Sequence, residues 1–560
     1  MTTRIRLIHL FFFIWLLLII ARLSYWQIVK AADLRAQAQQ QYSTSLILPA
    51  SRGEILSSDG FPLVTNTENY LLYAQPQLMP KDFATLTKLS SALPASDSAA
   101  VAMIPTSHLS WLPLARDLDA QTKAAVAALH IPGLGFESQP VRYYPEGSSS
   151  AYITGFVGQD AAGNPVGYFG LEGYYNRLLS GKPGRLLEQQ DAFARPILIS
   201  DQDRIPPQDG GTITTSIDRT LQYLAWQELS AGIQKYQTDS GTISIMDTST
   251  GRILAMVALP GYDPAHYASY DTSLYKNPVI SDFYEPGSTF KTVVMSSALD
   301  LGAVTPASRC TICTGPVTLS GLLVHDYDDQ YHPNSTMADI ILNSDNVGMV
   351  GVAQKMGRDE LLSYIRKFGF GKLTGIDLQE ETTPELRPDA AWEDVDWGTA
   401  AFGQGIAVTR LQLLAAVNAI ANHGLYMPPR LVTRITSGGT TKDLPPPPGI
   451  QVISEKAAYA MTQMMVNGVN NGEVRYYKPA GFVIAGKTGT AQVPIAGHYD
   501  PNAAIASFVG FAPADNPRFT MLVTLKNPKN GQWGSTTAAP LWFDLAQKIF
   551  RYYNISPHPN

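Results

Sequence analysis

A serine and a lysine three positions apart, Ser288 and Lys291, carry the clearest chemical signal in this chain. If the segment is helical, the two side chains lie one above the other on the same face. A serine hydroxyl becomes a good nucleophile when a base removes its proton, and a lysine can be that base if burial or a second cation keeps it neutral. Pro286 and Gly287 predict a turn leading into the helix. The pattern therefore predicts a nucleophilic serine at a helix N-terminus, where developing negative charge is favoured.

Two later triplets supply this pair with partners. Ser344-Asp345-Asn346 and Lys487-Thr488-Gly489 follow Ser288 and Lys291 in that order along the chain. A lone Ser-x-x-Lys is more often a pair of solvated helix residues than a catalytic site. The ordered set Ser-x-x-Lys, Ser-x-Asn, Lys-Thr-Gly is instead typical of penicillin-binding proteins and class A β-lactamases. The three motifs together therefore predict a single site.

The residue types suit acyl transfer through an acyl-enzyme, with backbone N–H groups forming an oxyanion hole. Ser288 is the predicted nucleophile and Lys291 the nearest base. Ser344 can pass a proton to or from Lys487 or the leaving amine. Asn346 can hold a substrate amide and hydrogen-bond Lys291. Which group takes the serine proton stays open.

The Lys-Thr-Gly triplet follows an apolar run and predicts an edge strand that faces the cleft. Gly489 would let a substrate backbone approach closely, because it has no side chain. Lys487 and Thr488 offer hydrogen-bond donors to a substrate carboxylate.

The rest of the chain predicts the elements that position these motifs. The composition, 45% hydrophobic and 16% charged, is that of a globular chain, and 560 residues exceed one ordinary domain. A net charge of −6 gives no basic footprint for nucleic acid. Strand patterns flank a mainly helical middle and a helix closes the chain, which predicts an α+β fold with one sheet assembled from distant segments. The predicted strands are 212–217, 241–246, 252–259, 482–485, 505–511 and 519–525, and the predicted helices are 219–229, 337–341, 359–368, 411–423 and 541–553.

Upstream segments predict a separate region without chemistry. Residues 52–64 contain an Asp-Gly turn between short apolar runs and predict a hairpin. Residues 81–129 predict a small helical insert, and the polar, proline-containing stretch 200–211 predicts a linker.

The N-terminus predicts a membrane anchor. Leu7 to Ala21 is free of charge, and with a snorkelling Arg22 the apolar segment extends to residue 28, enough to cross a bilayer. Arg4 and Arg6 place the tail in the cytoplasm and the bulk of the chain outside. The alternative is a cleaved signal peptide, but the nearest Ala-x-Ala, at 36–38, lies far beyond the apolar core. The chain is therefore predicted to be a single-pass plasma-membrane protein that extends from residue 27 into a helical stalk.

Across almost its whole length the sequence resembles the class B penicillin-binding proteins, and most closely the division-type FtsI. Besides the three motifs, the resemblance rests on segments 52–55, 59–60, 142–147, 167–172, 277, 284–288, 402–405 and 506–513. It implies a penicillin-binding transpeptidase domain of serine β-lactamase-like fold, in which helices flank a central antiparallel sheet. An elongated pedestal of the dimerisation type would precede this domain. The implied organisation is a cytoplasmic tail 1–6, a transmembrane anchor 7–28, a pedestal 29–205 and a transpeptidase domain 211–556.

The resemblance also implies the reaction and the partners. The chain would be a peptidoglycan D,D-transpeptidase acting on the D-Ala-D-Ala stem peptide in septal wall synthesis, without a cofactor or metal. β-Lactams would acylate Ser288, and the oxyanion hole would consist of the N–H groups of Ser288 and Thr490. A glycosyltransferase of the FtsW type and other division proteins would be its partners. The sequence departs from the family at Ser57 and Ser58, where Asp-Arg is usual, and at Asp345, where serine is commoner.

Two other functions compete with this interpretation. A serine β-lactamase or D,D-carboxypeptidase would release the acyl group to water. Glu385 lies in the stretch where a lactamase carries its deacylating glutamate, but Asp389 stands where that motif has Asn. The second competing function is that of a penicillin-binding sensor or scaffold without activity, for which no signalling segment is evident.

Cys310 and Cys313 leave three structural alternatives open. They could form a short-loop disulfide in an oxidising compartment, remain two unreactive thiols, or begin a structural zinc site with His325 or His332 and Asp326 or Asp328.

Overall fold

The computed structural model describes residues 2–34, 43–107, 109, 111–189, 203–495 and 498–557. The chain divides into two compact units. One comprises Met1–Arg52 and Ser180–Gly210, and the other comprises Gly53–Leu179 and Gly211–Asn560.

The first unit begins with the predicted apolar helix. It runs over Thr2–Ser24 and continues as a π-helical turn over Tyr25–Val29. The 28 residues Thr2–Val29 form a helix long and apolar enough to cross a membrane. None of these residues is buried within the protein. The guanidinium of Arg22 lies 5.1 Å from the ring centroid of Trp26. An arginine against an interfacial aromatic ring is suited to a membrane boundary.

The rest of the first unit is a small antiparallel sheet. Ser43–Leu48 pairs with Gly184–Gln189, which pairs in turn with Asp203–Ile205. The second half of the predicted stalk, residues 35–42, lies outside the described residues, as does the Ala-x-Ala at 36–38. Residues 190–202, which include the start of the predicted linker, lie outside them too.

A seven-stranded sheet opens the second unit. The predicted hairpin is confirmed, since Ile55 pairs antiparallel with Val64. The segment predicted as a helical insert does contain helices, but residues 112–118 form an edge strand of this sheet. That part of the prediction was wrong because Leu112, Leu114 and Leu118 are buried at strand-like intervals. In sheet order the strands are Thr440–Asp443, Val432–Ser437, Thr212–Thr215, Ile55–Leu56, Pro62–Ala74 and Leu112–Leu118, with Leu134–Tyr143 also paired to Pro62–Ala74.

The sheet that carries the chemistry has five antiparallel strands. Their spatial order is Ile253–Leu259, Ser240–Asp247, Phe519–Lys526, His498–Ala512 and Ala485–Ile495. A sheet built from distant segments is therefore confirmed, and so is the edge position of the Lys-Thr-Gly strand. The predicted strand 212–217 was wrongly placed in this sheet, because Thr212–Thr215 pairs in the seven-stranded sheet. The Lys-Thr-Gly strand begins at Ala485, so residues 482–484, predicted as strand, precede it.

Helices cover both faces of this sheet. Arg219–Tyr236 and Ala538–Tyr552 pack on one face, where Phe508 and Trp542 lie in a buried aromatic cluster. Asp218 caps the first of these helices, as predicted, by accepting hydrogen bonds from the N–H groups of Thr220 and Leu221. The other face packs against a helical layer. Its helices are Lys291–Leu301, Met337–Asn343, Asn346–Met356, Arg358–Lys367, Asp394–Ala400, Arg410–Ala421 and Glu455–Asn471.

Short helices complete the second unit. They are Phe83–Ser91, Ser98–Val101, Ala120–Ala127, Ala151–Thr154, Gly170–Tyr174, Asn176–Leu179 and Pro278–Ser281.

In this region Arg142 and Glu172 form a buried ion pair, with 2.7 Å between the Arg142 Nε and the Glu172 carboxylate. Their side chains are 7% and 0% exposed.

Glu172→Gln is expected to lower the free energy of unfolding by about 3–5 kcal/mol, because it removes the buried negative charge that contacts the buried guanidinium of Arg142. Denaturant unfolding of the full chain in detergent, followed by fluorescence, measures this difference. Glu137→Gln, at an exposed position of the strand Leu134–Tyr143, is the matched control and should change stability by less than about 0.5 kcal/mol. Equal effects of the two variants would contradict the assignment of stability to the ion pair.

Candidate active site

Ser288 lies on a tight turn that leads into a buried helix. The turn Gly287–Phe290 is 3-10 helical, and the α-helix Lys291–Leu301 follows without a break. Ser288 is half-buried. Lys291, one turn on, is completely buried. The predicted arrangement, a serine before the first turn of a helix with a lysine behind it, is present.

Lys291 joins the first motif to the second. Its Nζ lies 2.5 Å from the Ser344 carbonyl oxygen, 3.3 Å from the Ser344 hydroxyl and 2.8 Å from Asn346 Oδ1. Ser344 adopts a left-handed conformation, φ +60°, between the helices Met337–Asn343 and Asn346–Met356. This sharp turn aims both the carbonyl of Ser344 and the side chain of Asn346 at Lys291. The predicted contact between Lys291 and Asn346 is confirmed.

Lys487 joins the third motif to Ser344, the serine of the second motif. Its Nζ donates to the Ser344 hydroxyl over 2.9 Å, so this hydroxyl lies between two lysines. Only 5% of Lys487 is exposed. The three motifs, which are up to two hundred residues apart in sequence, therefore meet around one hydroxyl group.

Burial shifts the proton affinity of both lysines. The pKa of Lys291 lies well below its usual value, first because the side chain is buried and then because Lys487 is positively charged. Burial likewise lowers the pKa of Lys487 to about 8. The charges of Asp326 and Asp345 oppose the shift at Lys291. A neutral Lys291 near neutral pH is the state that a base for Ser288 requires.

Glycines bring the edge strand and the serine turn together. A side chain on Gly489 would begin 2.6 Å from Ser507 Oγ and 2.8 Å from Thr289 Cγ2. The absence of a side chain at Gly489 therefore lets the edge strand pack closely against the serine turn. The approach of a substrate backbone to Gly489 stays a prediction. Thr488 lines the adjoining cleft, and Thr490 accepts a hydrogen bond from the N–H of Gly534 over 3.0 Å.

A second glycine contact holds the serine turn from the opposite side. Gly403 has φ +81°, and a Cβ there would lie 2.2 Å from the Gly287 carbonyl oxygen. The Gly287 N–H donates to the carbonyl of Gly403 over 3.0 Å, and the Gly405 N–H donates to Glu285 over 2.9 Å. In the sequence, residues 402–405 were only one of the segments that resemble the family. The fold shows that they contact the turn that carries Ser288.

Beside Ser344 and Lys487 lies a cavity of 330 Å³. Asp326, His332 and Asp345 line it together with Glu473 from the turn after the helix Glu455–Asn471. In the sequence, Asp326 and His332 stand out only as potential zinc ligands. No spacing rule links them to the Ser-x-Asn motif, so only the fold shows that they border it.

The two cysteines form a disulfide, with an S–S distance of 2.02 Å. The disulfide alternative is therefore confirmed and the zinc alternative loses its thiolate ligands. No cluster of potential metal ligands occurs among the described residues. Glu385, the candidate deacylating glutamate, lines a different cavity, together with Phe370 and Lys372.

Comparisons with known proteins match both halves of the chain. The family described as "Penicillin binding protein transpeptidase domain" matches residues 241–550, and "Penicillin-binding Protein dimerisation domain" matches residues 47–215. Stage V sporulation protein D of Bacillus subtilis is 32% identical over 100% of this chain and 87% of its own length. The chain belongs to the class B penicillin-binding proteins. Peptidoglycan D,D-transpeptidase FtsI of Escherichia coli is 30% identical over 95% of this penicillin-binding protein and 87% of its own length.

Solved structures share the fold of this penicillin-binding protein. A peptidoglycan synthetase from Bifidobacterium adolescentis superposes with a TM-score of 0.73 at 25% identity, covering 92% of this chain and 98% of the other. Penicillin binding protein 3 of Mycobacterium tuberculosis, solved in complex with aztreonam, gives 0.71 at 25% identity with the same coverage. The predicted α+β transpeptidase fold with an N-terminal dimerisation region is confirmed.

Gly403→Ala is expected to slow acylation of the protein by penicillin by roughly a hundredfold, because the added methyl group displaces Gly287 and hence Ser288, the predicted nucleophile. Stopped-flow measurement of labelling by a fluorescent penicillin tests this. Gly438→Ala is the matched control, since Gly438 also has positive φ, +57°, but has open space around it. An unchanged acylation rate in folded Gly403→Ala would show that the turn does not depend on this contact.

Proposed function

We propose that this protein is a membrane-anchored peptidoglycan D,D-transpeptidase that cross-links stem peptides through a Ser288 acyl-enzyme and is inactivated by β-lactams. The observation that carries the proposal is the position of the Ser344 hydroxyl, which lies 3.3 Å from Lys291 Nζ and 2.9 Å from Lys487 Nζ. A hydroxyl between two lysines of lowered pKa offers a path for a proton between a nucleophile and a leaving amine. The family and the similarity to FtsI support the substrate class.

In the proposed first step, the Ser288 hydroxyl attacks the carbonyl between the two terminal D-alanines. Lys291 is the proposed acceptor of the hydroxyl proton, and the N–H groups of Ser288 and Thr490 are the proposed oxyanion hole. As the tetrahedral intermediate collapses, the terminal D-alanine leaves as an amine and takes a proton by way of Ser344 from Lys487. Thr488 and Lys487 are proposed to hold the carboxylate of this leaving residue.

In the proposed second step, the amine of a neighbouring stem peptide attacks the acyl-enzyme ester. The amine loses its proton along the same route in reverse, Ser288 regains its hydroxyl and the new amide bond is the cross-link. Asn346 is proposed to orient the donor peptide through its side-chain amide. A cofactor has no place in this sequence of steps.

The organisation of the chain is proposed to follow the sequence analysis, with a cytoplasmic tail 1–6, an anchor 7–28, a pedestal 29–205 and a transpeptidase domain 211–556. Arg4 and Arg6 support a cytoplasmic N-terminus and an extracytoplasmic catalytic domain. The similarity to FtsI supports a role in septal wall synthesis with an FtsW-type glycosyltransferase and other division proteins as partners.

Ser288→Ala is expected to abolish covalent labelling of the full chain by a fluorescent penicillin, because it removes the oxygen that forms the ester. Ser437→Ala, at an exposed position, should label like the wild type. Labelling is followed on denaturing gels after dilution into unlabelled penicillin. A label that persists is expected of a transpeptidase. Rapid loss of the label would instead identify a lactamase, and no label on the wild type would identify a scaffold.

A C-terminal fusion to alkaline phosphatase is expected to be enzymatically active, since that reporter requires an extracytoplasmic location. The mature protein should keep its N-terminal residues, which N-terminal sequencing measures. Cleavage near residues 36–38 would establish the signal-peptide alternative, and an inactive fusion would reverse the proposed orientation.

A further inference from the structure

The helix that carries Asn346 has an unusual N-terminal cap. Asp345 occupies the capping position of the helix Asn346–Met356, but its side chain makes no capping hydrogen bond. Asp326, from a separate loop, takes this role instead. Its Oδ1 accepts hydrogen bonds from the N–H groups of Asn346, over 2.5 Å, and Val347, over 2.9 Å. The N–H groups at the start of the helix therefore bind Asp326, and the Asp345 carboxyl is not used for capping.

Both carboxyl groups are buried and incompletely satisfied. Asp345 is 2% and Asp326 is 6% exposed. Asp345 Oδ1 lies 3.2 Å from His332 Nδ1, whereas Asp345 Oδ2 and Asp326 Oδ2 have no hydrogen-bond partner among the residues that the structure describes. A buried carboxylate oxygen without a donor is costly, and two neighbouring carboxylates repel one another. A proton shared by the two carboxyls would relieve both costs.

The electrostatics of the site agree with this geometry. Burial, followed by the charge of Asp326, raises the pKa of Asp345 to about 6, and His332 and Lys291 act in the opposite direction. The charges of Asp326 and Asp345 in turn raise the proton affinity of Lys291. The charges of Glu473 and Asp345 likewise raise the proton affinity of Lys487. The charged groups that act on Asp345 or line the same cavity are thus Asp326, His332, Lys291, Lys487, Glu473 and Arg475.

We propose that Asp345 and Asp326 form a carboxyl pair that binds one proton, and that the charge of this pair, linked to solvent through His332, sets the proton affinity of Lys291. Asp345 and His332 are then positioning residues for the reaction of Ser288, acting through Lys291. His332 is suited to this link because its side chain is 42% exposed while that of Asp345 is buried. The inference rests on the proposed function, since Lys291 is taken as the base.

The charge of the pair predicts the direction of its effect. When both carboxyls are ionised, the second negative charge favours the protonated form of Lys291 and delays its conversion to a base as the pH rises. Asp345→Asn and Asp345→Ser remove that charge. In both variants the pH at which Ser288 acylation reaches half its maximum should fall by about one unit, because a negative charge that favours the ammonium form of Lys291 is removed from a buried site. Asp359→Asn, at an 81% exposed carboxylate, is the control and should leave the midpoint unchanged.

His332→Asn is expected to move the midpoint in the same direction by a smaller amount, because loss of the histidine keeps the proton on the carboxyl pair to higher pH. The combination of His332→Asn with Asp345→Asn should then show the midpoint of Asp345→Asn alone. Simple addition of the two shifts would contradict a single pathway through Asp345.

Infrared spectroscopy can detect the proton on the carboxyl pair directly. In the full chain in detergent, the infrared carbonyl band of protonated carboxyl groups should grow as the pH falls through about 6, and Asp345→Asn should lose part of that growth. If the wild type labels with penicillin but all variants keep its pH midpoint, this inference is wrong and the proposed function stands. If the wild type does not label at any pH, the proposed function itself fails. Should Asp345→Asn not fold, Asp345→Ser and His332→Asn decide the question by the same midpoint.

Discussion

Two lysine side chains buried around one serine hydroxyl are the constraint on which this structure depends. A buried ammonium group with no partner is costly, so burial drives Lys291 toward its neutral form. The direct partners of its Nζ are uncharged oxygens of Ser344 and Asn346, while the carboxylates of Asp326 and Asp345 act from further away. A carboxylate bound directly to Nζ would favour the charged form. The arrangement satisfies the hydrogen bonds of the amine and favours the unprotonated form, which can accept a proton.

The rest of the domain keeps three separate backbone segments close enough for that contact. The serine turn is held between the edge strand at Gly489 and the loop at Gly403, and at both places a Cβ atom would overlap a neighbour. The five-stranded sheet behind them is packed on both faces by buried helices, so the edge strand cannot move without disturbing two hydrophobic clusters. Precision at Ser288 is therefore a consequence of backbone packing as much as of the catalytic side chains.

The acidic residues near Asn346 connect a motif position to residues outside the three motifs. Asp345 occupies the variable middle position of the Ser-x-Asn motif, yet here it is buried and contacts His332. Capping of the helix by Asp326 makes this possible, because the Asp345 side chain is not needed for the helix terminus. The charges that act on Lys291 therefore include a residue outside the three motifs, Asp326.

By itself, the sequence determined the family, the α+β class, the order of the three motifs and the apolar N-terminal helix. Each of these depends on local spacing or on hydrophobic pattern, and the hairpin at 52–64 and the Asp218 cap were predictable for the same reason. It misassigned Leu112–Leu118, where a short edge strand lies among helical stretches and pairing with Pro62–Ala74 decided the conformation. It also left open whether Cys310 and Cys313 bind each other or a metal.

Only the tertiary structure decided which groups face Lys291, why Gly489 and Gly403 are glycines and which residue caps the Asn346 helix. Those contacts join residues twenty to more than a hundred positions apart, such as Asp326 with Asn346 and Gly287 with Gly403. Proton affinity depends on burial and on charges converging from several elements, and no local pattern records that convergence. The chemistry could be named from the residue types, whereas the protonation states that allow it are a property of the fold.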